Sequence, residues 1–312
     1  SFSQYNRAMK QNLYNLSKSL NICLVVLITC SGCVTHINSN NPSQSQITPG
    51  PEVPLRYTVY KDQVFTPDDW PESLSGDLYL PDGSGPHPTV MLVHGGGWER
   101  RGREDMNSIA EYLVEHGFAV LNISYRFAPD YTFPDQVYDL QQAVRWLRRN
   151  SDRYRIDPES IGAYGFSSGG HLVLMLGTIS PGDELDRPHG GENARLQAVV
   201  AGSAPTDLRK FKGGRLVPQF LGKRYEEDLA LFTQASPIVH VTADDPPVFL
   251  YHGELDMLVD ISHSRDMKLA LDEANVKAEL YILHYLGHAS LFVLNGSVTE
   301  AAQVFLRRYL NK

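Results

Sequence analysis

The stretch Ser160-Ile-Gly-Ala-Tyr-Gly-Phe-Ser-Ser-Gly-Gly-His-Leu-Val-Leu-Met-Leu176 decides the fold. Its start reads as a strand, 160–165, and residues 168–178 read as a helix. Between them Gly165-Phe-Ser-Ser-Gly169 matches G-x-S-x-G. In a strand–turn–helix this pattern puts a serine on a sharp, strained turn with its hydroxyl clear of the sheet. The backbone is crowded two residues before and two after that serine, so both places need small residues. Ser167 has Gly165 and Gly169 there, whereas Ser168 would have Phe166 two before it. Ser167 is therefore the candidate nucleophile.

Outward from this motif, strand-like and helical segments alternate from Leu55 onward. The pattern predicts strands at 56–60, 74–80, 89–93, 118–123, 160–165, 196–202, 247–252 and 278–284. It predicts helices at 104–116, 134–149, 168–178, 226–233, 262–274 and 297–311. Val137, Leu140, Val144 and Leu147 recur at helical spacing. That segment opens on Pro134-Asp135 and closes on Arg148-Arg149, which matches the helix dipole. Val90-Met-Leu-Val93 and Val248-Phe-Leu-Tyr251 are apolar without alternation, as strands covered on both faces are. The alternation implies a three-layer α/β domain with a mostly parallel sheet. The first two strands have no helix between them and should form an antiparallel edge.

The glycines of His94-Gly-Gly-Gly-Trp98 follow the strand 89–93 directly. Without side chains, their N–H groups can point into a cavity, as donors to a developing oxyanion must. The expected donors are Gly96, Gly97 and Ser168, the residue after the nucleophile. A phosphate-binding loop is disfavoured, because no Lys-Ser/Thr follows the glycines and no G-x-G-x-x-G is present.

A serine nucleophile needs a base and an acid, which in this topology follow in the order Ser, acid, His. Of eleven histidines, His288 lies just past the last strand and is the expected base, with His284 as rival. Asp256 follows the preceding strand and is the expected acid, with Asp260 and Glu254 as rivals. Trp98, Tyr125, Phe166 and His171 are expected to line the substrate entrance.

Together, His94-Gly-Gly-Gly-Trp98, Tyr125-Arg126, Gly165-Phe-Ser-Ser-Gly-Gly-His171, Ala235-Ser-Pro-Ile238, His252-Gly-x-x-Asp256 and Gly287-His288 resemble the α/β-hydrolase carboxylesterases near the hormone-sensitive-lipase and feruloyl-esterase groups. The resemblance covers roughly 55–312. It implies an eight-stranded sheet between helices, serine-esterase chemistry on a small-molecule ester, and no cofactor. The hormone-sensitive-lipase group usually has Asp-Ser-Ala at its nucleophile, where this chain has Phe166-Ser167-Ser168, and a large amino-terminal cap. Here residues 208–240 are either a small cap over the site or ordinary surface packing.

The rest of the composition narrows the function. The chain has 312 residues, 42% of them hydrophobic, and a formal net charge of −8. An acidic balance argues against a nucleic-acid partner, which needs a basic surface. No H-E-x-x-H and no Cys/His cluster suggest a metal. The acidic pairs Asp68-Asp69 and Asp244-Asp245 read as solvated loop charges rather than the separated carboxylates of a glycosidase. Rival readings are an arylformamidase-type amidase, an acetyl or feruloyl esterase acting on plant polysaccharide, and an inactive binding protein.

All three cysteines, Cys23, Cys30 and Cys33, lie before residue 34. Residues 1–33 carry Arg7, Lys10 and Lys18, no acid, and the apolar run Ile22–Thr29. A basic start, a short apolar stretch and small residues read as a secretory signal, and the run is too short to span a bilayer. Ser31-Gly32-Cys33 resembles the lipid-modified cysteine site of bacterial lipoproteins, and Cys30 is the alternative. This predicts a bacterial cell-envelope location, outer membrane or periplasm, lipid-anchored or secreted, with membrane contact through the lipid alone. Residues 34–54, rich in Asn, Ser, Gln and Pro, read as a flexible linker, and 55–312 as the catalytic domain. Without residues 1–33 the chain has 25 basic and 36 acidic residues, a net −11.

Overall fold

The computed structural model describes residues 34–38, 50–51 and 53–311. The readings of residues 1–33 as a signal, and of Cys33 or Cys30 as a lipid site, lie outside the described residues. The strands are β1 (Val34–Asn38), β2 (Tyr57–Val64), β3 (Ser75–Pro81), β4 (His87–Val93), β5 (Ala119–Ile123), β6 (Ile156–Phe166), β7 (Ala198–Gly202), β8 (Val248–Gly253) and β9 (Ala278–Leu283). The helices are α1 (Asn107–Glu115), α2 (Asp135–Arg149), α3 (Ser151–Tyr154), α4 (Ser168–Thr178), α5 (Leu216–Leu221), α6 (Leu229–Gln234), α7 (Ser262–Glu273), α8 (His288–Val293) and α9 (Gly296–Leu310).

One sheet runs in the order β1-β9-β8-β7-β6-β4-β5-β3-β2. The strands from β5 through β4, β6, β7 and β8 to β9 are parallel. β2 and β3 form the expected antiparallel edge, and β3 is also antiparallel to β5. β4, β5, β7 and β8 are buried almost throughout, because helices cover both faces of the sheet. Two cores result. One gathers α2, α4 and α7, with Val137, Leu140, Val144 and Leu147 of α2 all buried. The other gathers α1 and α9 on the opposite face. The chain order reverses at β4, between β5 and β6, and a crevice forms outside the carboxyl ends of such strands.

Two expectations are corrected. The sheet has nine strands among the described residues, not eight, and the ninth is cut from the expected linker. Val34–Asn38 pairs antiparallel with β9, Val34 opposite Leu283. Its side chains are mostly exposed, so the backbone ladder and the side-chain bonds of Thr35 and His36 hold it rather than apolar burial; Val34, Thr35 and Ile37 are strand formers, but five residues beside a polar stretch are too short a run to stand out. The linker therefore does not begin at residue 34. Within residues 208–240, Leu216 of α5 packs against Gly97, while Phe220 of α5 and Phe232 of α6 are buried in the first core.

Candidate active site

β6 ends in Phe166, and α4 begins at Ser168. Ser167 between them has φ 56° and ψ −122°, a strained backbone for a residue with a side chain. The turn tolerates it because its neighbours lack side chains. A Cβ on Gly165 would overlap the Gly169 carbonyl, and one on Gly169 would overlap the carbonyls of Val93 and His94. The Ser167 N–H donates to the Gly202 carbonyl at 2.7 Å, which ties the turn to the neighbouring strand.

His288 Nε2 lies 2.9 Å from Ser167 Oγ, and His288 Nδ1 lies 2.6 Å from Asp256 Oδ2. The other carboxylate oxygen, Oδ1, accepts the N–H groups of Leu258 and Val259, each at 2.9 Å. Burial alone would raise the Asp256 pKa. Hydrogen bonds from His252 and His288 outweigh it, and with the charge of His288 and the Val259 N–H they hold the carboxyl well below the usual range. Asp256 therefore stays ionised. The rivals are otherwise occupied. His284 bonds to Thr35 and Glu254, and Asp260 accepts the N–H of Ser262 at the start of α7.

Gly96 and Gly97 have φ of +124° and +66°, which place the loop in a conformation that side chains resist. Among the described residues, neither of their N–H groups is taken by a hydrogen bond within the protein. Ser168 is the first residue of α4, so its N–H has no acceptor inside that helix. Gly95 backs directly onto Phe166 and Ser167, bringing this loop to the nucleophile. Leu216 of α5 packs against Gly97, and Arg215 and Gln219 bond to Glu99 beyond the loop.

The four residues expected to line the entrance stand behind the site instead. All are buried. Trp98 stacks on Phe220 at 4.4 Å, and its indole N–H donates to His171 Nδ1 at 3.3 Å. His171 Nε2–H in turn donates to the Ala235 carbonyl at 2.8 Å. This relay needs a neutral imidazole, and burial pushes the His171 pKa down to about 4. Tyr125 donates to the His94 carbonyl and stacks on the His94 ring. Phe166 backs the His288 ring at 5.0 Å. Aromatic type suggested a binding surface, but their size instead fills the space behind a glycine loop.

Two supporting groups were missed as such. His252 is fully buried, 3.5 Å from Asp256, with Ser264 Oγ on Nδ1 and the Val259 carbonyl on Nε2. Arg126 is buried with a forked contact to Asp139, between the rings of Trp70 and Tyr131. Both sat in quoted motifs, His252-Gly-x-x-Asp256 and Tyr125-Arg126, which was the available signal. Among the described residues, no cluster of three or more His, Cys, Asp or Glu is placed to hold a metal.

A serine on a strand–helix turn, at the carboxyl edge of a mostly parallel sheet between helices, is the arrangement of the α/β-hydrolase esterases. The model of the BD-FAE family matches residues 76–271, more than half of the chain, and the chain belongs to that family. The match includes Ser167 and Asp256 and ends before His288. The chain is 29% identical over 274 residues to the probable carboxylic ester hydrolase LipM of Mycobacterium tuberculosis, covering 81% of this chain and 62% of that one. It is 32% identical over 232 residues to the esterase LipQ of the same organism, covering 70% of this chain and 55% of that one. Thus the chain spans only about half to three fifths of the length of these relatives. A solved structure described as a truncated carbohydrate esterase from gut microbiota superposes with a TM-score of 0.71 at 25% identity, over 85% of this chain and 100% of that one.

Proposed function

We propose that the chain is a serine carboxylesterase working through a Ser167–His288–Asp256 triad. The observation that carries this reading is the unbroken hydrogen-bonded chain from Ser167 Oγ through His288 to Asp256, 2.9 and 2.6 Å long. His288 takes the Ser167 proton as Oγ attacks an ester carbonyl. The tetrahedral oxyanion is met by the N–H groups of Gly96, Gly97 and Ser168, each worth on the order of 3 kcal/mol in the transition state. His288 then protonates the departing alcohol, and activates the water that releases the acid. Asp256 holds the imidazole tautomer and stabilises its cation.

The substrates proposed are short-chain acyl or small aromatic esters. Acetyl or feruloyl esters on polysaccharide are the second reading, supported by the likeness to a carbohydrate esterase. A panel of nitrophenyl esters, beside acetyl-xylan and methyl ferulate, separates them. A peak at short chains with no release from acetyl-xylan supports the first reading, and preferential release from acetyl-xylan or methyl ferulate supports the second. The arylformamidase alternative requires an aryl formamide to be cleaved faster than any ester in the panel.

The proposed location is the bacterial cell envelope, with Cys33 carrying the lipid. Two signals or several acyl chains make such an anchor stable. A full-length Cys33→Ser protein should leave the membrane fraction, and its retention there would contradict the lipid assignment.

A further inference from the structure

The carboxyl ends of β8 and β9 carry the loops that hold Asp256 and His288. These loops expose Leu255, Met257, Leu258 and Tyr285, and the end of α8 exposes Val293 and Leu294, each more than half exposed and Met257 fully so. The loops touch. The Leu255 N–H donates to the Leu286 carbonyl at 3.0 Å, and the Glu254 N–H to the Leu283 carbonyl at 3.0 Å. Other exposed large apolar side chains among the described residues are distributed over separate elements, including Tyr60 and Val64 on β2, Leu269 on α7 and Val304 on α9. A concentration of this kind beside an active site marks an interaction surface.

The course of the chain indicates what meets it. Val34 pairs with Leu283, the last residue of β9, so β1 enters the sheet at this same rim. Thr35 Oγ1 lies 2.8 Å from His284 Nε2, and His284 Nδ1 lies 2.6 Å from Glu254, next to Leu255. The carboxylate within the patch is thereby engaged. Cys33 is bonded to Val34, and Ile22–Thr29 is the chain's apolar run. Val34 is the first residue of β1, so Cys33 directly precedes that strand in the chain. An anchor at this point brings the rim, rather than the far end of the domain, to the bilayer.

We propose that the apolar rim of Leu255, Met257, Leu258, Tyr285, Val293 and Leu294 rests on a lipid surface, so that the Ser167 site opens beside the bilayer. The choice of lipid over a protein partner rests on the envelope-anchor reading above.

The test uses the full chain carrying Tyr285→Trp, mixed with phosphatidylcholine vesicles and floated. In the expected result the chain floats, and the fluorescence of the introduced indole, above the unsubstituted chain's background, falls at least twofold when the acyl chains are brominated. Adding Met257→Asp and Val293→Asp should remove that quenching. A chain that floats with its indole unquenched overturns the proposal while leaving the anchor intact, and a chain that does not float overturns it outright. An indole already blue-shifted without vesicles and indifferent to bromination shows the patch covered by protein, and also overturns it. Hydrolysis of soluble nitrophenyl butyrate is read separately. Its absence in every variant would count against the esterase reading and not against the lipid contact.

Discussion

Ser167 and His288 face each other across 2.9 Å, yet the molecule holds them by different means. The nucleophile side, the ends of β4 and β6 with the start of α4, is fixed by backbone. Glycines let main chains meet where no Cβ fits, and buried aromatics close the space behind them. On the other side, the ends of β8 and β9, loops are fixed by side-chain hydrogen bonds converging on Asp256, while their own apolar side chains face outward. The comparison teaches that the proposed oxyanion donors and nucleophile are built into the fold, whereas the proposed base is held in place by a network on a more open edge. Damage to the first side should therefore cost structure, and damage to the second should cost rate.

The largest effect should come from Gly169→Ala. Its Cβ would overlap two carbonyls of the β4 end, and neither backbone can yield without opening the sheet. Little folded protein should be recovered, with a loss of more than about 3 kcal/mol in denaturant unfolding for any that is. Asp256→Asn should instead leave a folded protein, less stable by about 1–3 kcal/mol through the lost charge-assisted hydrogen bonds, and lower kcat by about 10⁴-fold, because the amide favours the wrong imidazole tautomer. If Asp256→Asn unfolded the protein while Gly169→Ala kept it intact, the comparison would be inverted.

A smaller effect tests the aromatic backing. His171 is held neutral by burial, its pKa pushed down from 6.5 to about 4. The unfolded chain takes up that proton below pH 6.5 and the folded chain does not. Its contribution is thus complete above pH 6.5 and is lost as pH falls toward 4, up to about 3 kcal/mol. Urea midpoints between pH 7 and pH 4.5 should fall less steeply in His171→Gln than in the unsubstituted protein. Equal slopes would mean that His171 is not the buried neutral group described. The smallest effect belongs to the rim. Met257→Asp should change stability by no more than about 0.5 kcal/mol and leave soluble ester hydrolysis unaltered. A tenfold loss would mean the rim side chains support the site from within.

Legibility in the sequence follows the same division. Where function demanded a backbone shape, residue type gave it away. Gly165 and Gly169 around Ser167, the glycines after His94, and the unbroken apolar strands each allow few alternatives, so the sheet and the turn that presents Ser167 could be read. Where side chains decide, residue type misleads. Trp98, Tyr125, Phe166 and His171 are the residues that bind aromatic ligands elsewhere, and nothing in their spacing tells a pocket wall from a scaffold. The strand Val34–Asn38 was invisible because an edge strand held by its ladder needs no apolar pattern. The role of His252 depends on a loop that returns Val259 and Ser264 to its ring. That is a tertiary fact: the His252-Gly-x-x-Asp256 pattern marks the residue but not what its ring does.

The central claim is that Ser167 is an activated nucleophile, and covalent labelling with a fluorophosphonate reads it directly. The folded chain should take up one equivalent of label, recovered on the peptide carrying Ser167. The Ser167→Ala chain should take up none, and His288→Asn should react slower by about 10³-fold or more. No label on the folded chain, or undiminished labelling of the Ser167→Ala variant, would contradict the account.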